Sequence, residues 1–458
     1  MINKAIVLIT DHKPGEYAFC KVAGASLFKR AIFSGQKAGI DEFFILYTGK
    51  NKHEIETSLK DDKRIMSKAN IVNLSKEKDG GIEIHANMTC ASGQNYFIIN
   101  GNAIFDYSLL QRLSHFDLKD AFAAVSVDKR KDDFPERPGE WYIKLSNDNI
   151  MDISQDSKDC DGKTTGIILA SPGAVSNLMG NFFSNPNFSL NEWMGSQIKN
   201  KELKAFNIKD NLSLEVVSEP HLRECEKRLY NSLGSSLDGP IVDKYINRKI
   251  SRQITSQLVK TPITPNQTTM ISLAIGIVSV WYFWHGGYWN YLAGALVFQL
   301  SFIFDQCDGE IARLKFMESK FGGWFDAVCD SVIRALMALG MTRSLYIESN
   351  QTLILISGIL SSIGIFVSTI LSSYETLQKE ENERDVNKKN ANGYVKEGNK
   401  LSVFVDKFNN TDSVTIILFI CILSGHLAWF LWTIGIGSFA FSLVILAKTL
   451  IVRKNLHK

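Results

Sequence analysis

The sequence predicts a two-domain chain. A doubly wound α/β domain comes first, an interfacial amphipathic helix follows, and an all-α bundle of six transmembrane helices completes the order. Three observations predict this order. Short apolar runs alternate with helical patterns in the first half, long apolar runs fill the second half, and a stretch rich in Gly and Ser separates them. The expected segments are the α/β domain at 1–225, a linker at 226–240, the amphipathic helix at 241–260 and the six-span domain at 261–458.

Five short apolar runs are the predicted strands of the α/β domain. They interleave with helical patterns such as 26–39, which ends at a glycine. This alternation is typical of a doubly wound domain with a mainly parallel sheet, in which ligands bind at the carboxyl ends of the strands. The five runs are 5–10, 43–48, 96–99, 121–127 and 166–170.

Two segments of this domain, Lys21–Gly49 and Phe97–Asp106, resemble the sugar- or alcohol-phosphate nucleotidyltransferases. The resemblance implies a glycine-rich loop after the first strand whose backbone N–H groups cradle a triphosphate. It also implies a nearby Lys and an Asp that binds Mg²⁺.

This sequence departs from that pattern at all three places. The loop Asp11–Lys21 keeps one glycine, Gly15, and the Lys position falls near Tyr17. Asn102 stands where the family has its Asp, and a neutral amide is a poor Mg²⁺ ligand. We therefore predict a catalytically inactive relative with a structural or regulatory role; a divergent active site is the alternative.

Composition excludes several classes of protein. The 458 residues carry a net charge of only +3, whereas a nucleic-acid-binding protein concentrates basic residues on one face. The seven cysteines form no CxxC pair, which excludes a disulfide scaffold and a zinc ribbon and fits a reducing compartment. The N-terminal apolar run is too short for a secretory signal, so we expect the first domain to stay in the cytoplasm.

The segment after the linker predicts a basic amphipathic helix. Apolar residues recur every four positions, and basic residues lie away from that stripe, so the helix is expected to lie in the cytoplasmic membrane interface. The alternative is a soluble helix that packs on the first domain. The apolar stripe is Val242, Ile246, Ile250, Ile254 and Leu258, and the basic residues are Lys244, Arg248, Lys249 and Arg252.

Six membrane spans are predicted from length and apolarity. The loops between spans 1 and 2 and between spans 5 and 6 carry no Lys or Arg, whereas the loop 375–410 carries seven. The positive-inside rule therefore predicts an integral protein of the cell inner membrane with cytoplasmic termini and a cytoplasmic loop 375–410. The spans lie near 267–284, 289–308, 321–344, 351–374, 411–426 and 428–451.

Four carboxylates are predicted to converge at the cytoplasmic end of the bundle. Asp305 and Asp308 fall on one face of the second span, and Asp326 and Asp330 fall on one face of the third. Four negative charges at membrane depth are costly unless cations neutralise them, and carboxylate oxygens suit Mg²⁺, Mn²⁺ or Ca²⁺. With Arg313 as a fixed cation suited to a diphosphate, the pattern indicates a metal-dependent phosphoryl-group enzyme at a membrane surface.

These residues complete the string D-x2-D-G-x2-A-R-x8-G-x3-D-x3-D, from Asp305 to Asp330. The string is the signature of the CDP-alcohol phosphotransferase family, and residues 239–452 resemble that family. With the nucleotidyltransferase-like front domain, the chain resembles the fused form found in di-myo-inositol-phosphate-phosphate synthases.

The resemblance implies a reaction and a set of roles. Family members transfer a substituted phosphate group from a CDP-alcohol to an acceptor hydroxyl and release CMP, usually as homodimers in the membrane. Two divalent cations, Mg²⁺ or Mn²⁺, with Ca²⁺ as a non-productive occupant, would be held by the four carboxylates. Asp330 would also be the general base. The CDP moiety would be held by Gly309, Ala312, Arg313 and Gly322.

Several alternatives stay open at this point. Arg334 is either a ligand of an acceptor phosphate or a structural partner of a carboxylate, and Lys320 is either such a ligand or a positive-inside residue. The donor is either a soluble CDP-alcohol with a polyol-phosphate acceptor, which the fused form favours, or CDP-diacylglycerol in phospholipid synthesis. A bifunctional enzyme that also makes the CDP-alcohol is a further alternative, and a non-enzymatic transporter is disfavoured because the charges lie at one end of the bundle.

Overall fold

In the computed structural model, the chain divides into two units, Met1–Leu233 and Gly234–Lys458. The structure describes residues 2–9, 17–48, 51–60, 62–74, 93–119, 121–130, 139–156, 160–185, 188–199, 203–233, 246–387 and 411–456. Most of the predicted loop Asp11–Lys21, the stretch 234–240 and the start of the predicted amphipathic helix therefore lie outside the described residues.

The N-terminal unit is built on a nine-stranded sheet of order β5-β4-β1-β6-β11-β8-β12-β10-β9, with two short ribbons, β2–β3 and β7–β13. The strands are β1 (Lys4–Ile9), β2 (Lys21–Val22), β3 (Ala25–Ser26), β4 (Glu42–Tyr47), β5 (Lys68–Asn73), β6 (Tyr96–Asn100), β7 (Ala103–Phe105), β8 (Ala123–Asp128), β9 (Tyr142–Ser146), β10 (Asn149–Ser154), β11 (Gly162–Ala170), β12 (Leu203–Asn207) and β13 (Ser213–Glu215).

Helices cover both faces of this sheet, as a doubly wound domain requires. Alternate residues of β1 enter different cores: Ile6 and Leu8 enter the core beneath α4 and α5, and Val7 and Ile9 enter the core beneath α1 and α3. The helices are α1 (Leu27–Lys37), α2 (Lys52–Lys60), α3 (Tyr107–Ser114), α4 (Pro172–Ser184), α5 (Leu190–Ile198) and α6 (Glu219–Ser232).

The sheet is mixed, so the prediction of a mainly parallel sheet is wrong for its second half. All five predicted strands are present, and β5, β4, β1 and β6 are mutually parallel. However, β11 runs antiparallel to both β6 and β8, and β9 and β10 form a hairpin. The hairpin turn uses two left-handed residues, Asn147 and Asp148. Strands β9 and β10 were not predicted because exposed polar residues interrupt their apolar pattern.

The C-terminal unit is helical, and its helices lie where the predicted spans do. Helix α8 packs against both α9 and α10, and α7 packs against α9. At Gly358 of α11 a Cβ would lie 1.7 Å from Oγ1 of Thr342, so α10 and α11 approach closely there. The helices are α7 (Arg248–Leu258), α8 (Pro265–His285), α9 (Tyr288–Lys315), α10 (Lys320–Ser349), α11 (Thr352–Asn387), α12 (Thr411–Leu423) and α13 (Leu427–Leu456).

Two of these helices have the length and apolarity of a membrane span. Among the described residues, 265–285 and 352–371 meet both criteria, and Val414–Leu423 and Leu427–Ala440 are shorter apolar helices. In the described part of the chain, six helices lie near the positions of the six predicted spans; that all six cross a membrane belongs to the proposal below.

Candidate metal centre

Helices α9 and α10 carry the motif residues, and local sequence fixes where each ends or begins. Helix α9 ends at Lys315 because Phe316 adopts the left-handed conformation, with φ of 54°. Helix α10 begins after Ser319, whose hydroxyl accepts the backbone N–H of Gly322 at 2.9 Å. Because the connection between the helices is so short, their motif-bearing ends stay close together.

Three of the predicted carboxylates converge between these ends. Asp305 and Asp308 lie one turn apart on α9, and Asp326 lies on α10. One carboxylate oxygen from each residue lies within 4.8 Å of the other two. Asp308 is only 7% exposed, and Asp305 and Asp326 are half-buried. Carboxylates this close repel one another unless a cation neutralises them.

The chemistry of this cluster fits a hard divalent cation. Oδ1 of Asp326 is buried and has no hydrogen-bond partner among the described residues. A buried oxygen without a donor is costly, and a bound cation removes that cost. Carboxylate oxygens are preferred ligands of Mg²⁺, Mn²⁺ and Ca²⁺. The three residues therefore suit a divalent cation of this group.

The fourth predicted carboxylate, Asp330, lies one turn beyond Asp326 and has a cationic partner. Nη2 of Arg334 donates to Oδ2 of Asp330, and the two side chains form an ion pair across one helical turn. Of the two roles predicted for Arg334, the carboxylate partner is the one that matches this contact. The structure thus brings three carboxylates together and places the fourth beside them in an ion pair.

Two glycines border the carboxylate cluster. Gly309 follows Asp308, and a Cβ on it would lie 3.6 Å from Nη1 of Arg313. A Cβ on Gly322 would lie 3.0 Å from Oγ of Ser319, the residue that caps α10. A Cβ at Gly309 would therefore touch the Arg313 guanidinium, and one at Gly322 would crowd the hydroxyl that caps α10.

The predicted cationic ligands lie at the same end of the helices. Arg313 near the end of α9 and Lys320 at the start of α10 are both exposed, and Ala312 is half-buried. Exposed cations on both sides of the short connection suit a phosphate that arrives from the solvent. Ala312 offers no polar group, so its small side chain contributes space rather than a contact.

Sequence reasoning missed one residue of this site, Thr269 of α8. Its hydroxyl donates to Oδ2 of Asp308, and the residue is 2% exposed. Thr269 begins the second turn of a helix that Thr264 and Pro265 start, so its hydroxyl faces α9. The segment 264–269 stands out in the sequence as the start of a helix, but a threonine at such a place usually caps the helix. The sequence does not indicate that Thr269 contacts Asp308 in another helix.

Replacing Thr269 with valine is expected to weaken metal binding about tenfold or more, because the Asp308 carboxylate loses the donor that orients it. Mn²⁺ affinity measured by electron paramagnetic resonance on the detergent-purified chain tests this. Thr268→Val is the matched control, since the neighbouring hydroxyl donates only to the carbonyl of Thr264 at 3.3 Å. Equal Mn²⁺ affinities in the two variants would show that the Thr269 contact does not orient a metal ligand.

The residue at the predicted magnesium position of the N-terminal unit serves a structural role. Nδ2 of Asn102 donates to the carbonyl of Val216 at 2.8 Å and to Oε1 of Glu215 at 3.3 Å. Asn100 donates to the same Glu215 oxygen at 2.8 Å. Burial raises the pKa of Glu215, although these two amides partly offset the effect. Asn102 therefore ties β13 to the end of β6.

Two other acids of this unit, Asp106 and Asp128, also have structural partners. Asp106 caps α3 by accepting the N–H of Ser108. Both carboxylate oxygens of Asp128, which is 2% exposed, accept from Arg130 at 2.8 Å. Each acid thus has a structural partner in the described part of the unit.

Comparison with known proteins finds a family whose model matches most of the helical unit. Residues 262–440 match the model of the CDP-alcohol phosphatidyltransferase family. The chain is 22% identical to a bifunctional IPC transferase and DIPP synthase of Aquifex aeolicus, over 73% of this chain and 75% of that protein. It is 27% identical to a protein of the same description from Rubrobacter xylanophilus, over 70% of this chain and 71% of that protein.

The N-terminal unit also has a counterpart in these relatives. The Aquifex match extends over 347 residues, which is longer than the C-terminal unit, so it includes part of the N-terminal unit. A solved inositol-1-phosphate CTP transferase from T. maritima aligns with half of this chain and 96% of its own, at 19% identity and a TM-score of 0.40. The family match agrees with the complete motif: residues 262–440 match a CDP-alcohol phosphatidyltransferase domain, and the relatives that align with most of this chain are described as bifunctional IPC transferases and DIPP synthases.

Proposed function

We propose that the helical unit transfers a substituted phosphate group from a CDP-alcohol to the hydroxyl of an acceptor alcohol and releases CMP. The observation that carries this proposal is the cluster of Asp305, Asp308 and Asp326 within a domain of this transferase family. The acceptor oxygen attacks the phosphorus that bears the donor alcohol. The bond from that phosphorus to the bridging oxygen breaks, and CMP leaves with the electron pair.

The roles of the side chains follow from their positions. Asp305, Asp308 and Asp326 would hold the cations, with Asp330 sharing in the site, and the cations would stabilise the charge that develops on the diphosphate. Asp330 accepts the proton of the acceptor hydroxyl, and Arg334 orients its carboxylate. Gly309, Ala312 and Gly322 leave room for the CDP moiety, and Arg313 binds its phosphates.

We propose soluble polyol substrates: a CDP-alcohol such as CDP-inositol as donor and a polyol phosphate as acceptor, with Lys320 as an acceptor-phosphate ligand. Support comes from the relatives of the same fused architecture, which are described as IPC transferases and DIPP synthases. CDP-diacylglycerol, which would make the product a phospholipid, is the alternative donor that the experiment must include.

We propose that all six helices of α8 to α13 span the membrane, with the metal centre and both termini on the cytoplasmic side and the chain forming a homodimer. Large apolar side chains cover the outside of the described bundle; Trp281, Leu296, Ile359 and Ile436 are each more than half exposed. Such a surface suits a lipid surrounding. Ile246 and Ile250 of the α7 region are also exposed, which suits an interfacial helix.

The test of the proposed reaction is CMP release by the detergent-purified chain with Mg²⁺ or Mn²⁺, over a panel that includes CDP-inositol and CDP-diacylglycerol. We expect release that requires a metal, requires an acceptor, and falls at least about 100-fold in Asp330→Asn, because a positioned general base contributes 10²- to 10⁴-fold. Release from CDP-diacylglycerol alone would reassign the donor. Release without metal would contradict the proposed site.

We propose that the N-terminal unit is catalytically inactive, because Asn102 is committed to Glu215 and Val216 instead of facing a metal. A second candidate is a bifunctional enzyme whose N-terminal unit makes the CDP-alcohol from CTP, which the description of the relatives favours. We expect no CTP-dependent diphosphate release from the full chain given CTP, Mg²⁺ and inositol phosphate. Release that Asp330→Asn preserves would establish the bifunctional enzyme.

A further inference from the structure

Helix α9 contains a buried carboxylate that is not one of the four motif acids. Glu310 is only 5% exposed. Its two oxygens accept from Oγ of Ser251 at 2.9 Å and from Oγ1 of Thr255 at 2.6 Å. Both donors belong to α7 and are fully buried. A buried carboxylate is costly unless hydrogen bonds satisfy it, so these two contacts bind α7 and α9 together.

Polar side chains form most of the buried face of α7 and its caps. Asn247, Ser251 and Thr255 are fully buried, and Val259, the C-cap, is 1% exposed. In contrast, Ile246 is 52% exposed and Ile250 is 38% exposed. Two described residues of the expected apolar stripe are therefore exposed, and hydrogen bonds such as those of Glu310 contribute to the attachment of α7 to α9.

A second contact fixes the chain that leads from α7 to α8. Nζ of Lys315, at the end of α9, donates to the carbonyls of Thr261 and Ile263 at 2.7 and 2.8 Å. Thr264 follows directly and caps α8 in a capping box with Gln267. Two side chains of α9, Glu310 and Lys315, therefore hold α7 and the start of α8 against the same end of α9.

The start of α8 in turn contacts the metal centre through Thr269 and Asp308. Glu310 lies two residues beyond Asp308, which places the two side chains on opposite sides of α9. Helix α9 therefore contacts α7 on the side of Glu310 and α8 on the side of Asp308. Residues 259–264 connect α7 to α8.

We propose that Glu310 is a positioning residue of the metal centre. By fixing α7 on the back of α9, it fixes the turn that begins α8, and so holds Thr269 where it orients the Asp308 carboxylate. This inference rests on the proposed function, in which Asp308 is a metal ligand. Glu310 itself contacts neither metal nor substrate.

The test compares Mn²⁺ affinity, measured by electron paramagnetic resonance on the full detergent-purified chain, in three variants. Glu310→Ala is expected to bind about tenfold more weakly than the unsubstituted chain, as is typical for loss of a contact that supports a metal ligand. Glu310→Gln keeps the size of the side chain and one oxygen acceptor. Its Mn²⁺ affinity is expected to stay within about threefold of that of the unsubstituted chain, which would show rescue by the conservative variant.

Gln299→Ala is the matched control. Nε2 of Gln299 donates to Oδ1 of Asn247 at 2.7 Å, which is another polar contact between the α7 region and α9. It lies eleven residues before Glu310, about 16 Å along the helix. If α7 were only loosened in general, Glu310→Ala and Gln299→Ala would weaken Mn²⁺ binding by the same factor. A positioning role for Glu310 predicts that Gln299→Ala changes the Mn²⁺ affinity by less than about twofold.

The outcomes separate the proposal from the function on which it rests. Unchanged Mn²⁺ affinity in Glu310→Ala, with loss of affinity in Asp326→Asn, would overturn the positioning role and leave the metal site intact. Unchanged affinity in both would overturn the metal site itself. If Glu310→Ala does not fold, Thr255→Val removes one of the two hydrogen bonds and is expected to weaken Mn²⁺ binding about threefold; unchanged affinity there would also count against the proposal.

Discussion

Asp326→Asn is expected to lower metal-dependent CMP release by about 1,000-fold. Asparagine keeps the shape of the side chain but removes the charge of the carboxylate whose Oδ1 is buried and has no hydrogen-bond partner. Loss of a metal that stabilises transition-state charge costs several kcal/mol, and each 1.36 kcal/mol is a tenfold change in rate. The measurement is CMP release against metal concentration, with Mn²⁺ affinity determined on the same preparation.

Glu318→Gln is the matched control because it makes the same change of charge at an exposed position between α9 and α10. We expect its activity to stay within about threefold of the unsubstituted chain, since exposed charges interact weakly in water. If Asp326→Asn kept more than a tenth of the activity at every metal concentration, the carboxylate cluster would not be the metal centre.

Comparing Asp326→Asn with Asp330→Asn distinguishes a residue that binds the metal from one that accepts the proton. Asp330 lies beside the three-carboxylate cluster and is paired with Arg334. Its replacement is therefore expected to lower kcat while changing Mn²⁺ affinity less than Asp326→Asn does. Equal loss of Mn²⁺ affinity in both variants would place Asp330 among the principal ligands and leave the general base to another group.

The cluster of three carboxylates was predictable from the sequence because helical geometry favours it. Asp305 and Asp308 must share a face at a spacing of three residues, and the short connection to α10 brings Asp326 back to them. The cluster of oxygens within 4.8 Å follows from those two facts. The pairing of Asp330 with Arg334 was open in the sequence because four-residue spacing allows a pair but does not require one.

The supporting contacts of α7 were not predictable in the same way. A hydrophobic stripe indicates an amphipathic helix but not which face meets the protein, because a membrane surface takes the apolar face and leaves the polar face for packing. Ser251 and Thr255 look like ordinary solvent-facing residues in the sequence, and Glu310 looks like a spacer within the motif. Their contact requires the packing of α7 on α9, which no local pattern encodes.

The N-terminal sheet shows a related limit. The buried strands β1, β4 and β6 are continuous apolar runs and were predicted, whereas β12 alternates apolar residues with Lys204 and Asn207 and was missed. Strand β11 contains a continuous apolar run and was predicted, but it runs antiparallel to both β6 and β8. Apolar periodicity predicts a buried strand and does not determine its direction in the sheet.

Glu140→Gln is expected to destabilise the N-terminal unit by about 3 kcal/mol at pH 7. Oε1 of Glu140 accepts from Nζ of Lys163 at 2.7 Å and lies 3.1 Å from Nε2 of His221, and all three side chains are less than a tenth exposed. Removing the carboxylate takes away the anion 2.7 Å from the buried Lys163 ammonium, and breaking a buried ion pair in this way typically costs about 3–5 kcal/mol. Burial already lowers the pKa of Lys163, so its charge depends on the Glu140 contact.

The same contacts predict the pH dependence of this stability. Burial alone would raise the pKa of Glu140, but its contacts with His221 and Lys163 outweigh burial and lower the pKa to about 2. Because the folded pKa lies below the ordinary glutamate value of about 4.3, the stabilisation is complete above that pH and is lost as the pH falls from about 4.3 towards 2. In Glu140→Gln this acid-dependent loss should be absent, since no carboxylate titrates there.

The measurement is the urea dependence of hydrogen exchange in β11 of the full chain, at several values of pH between 7 and 3. Glu56→Gln is the control, because Glu56 lies in exposed pairs with Lys52 and Lys60 at 3.9 and 3.8 Å, and such pairs contribute less than about 1 kcal/mol. Adding Lys163→Met to Glu140→Gln should restore much of the stability by removing the buried cation that Glu140 neutralises. If the double variant were no more stable than Glu140→Gln, the buried charge of Lys163 would not be the cause of the loss.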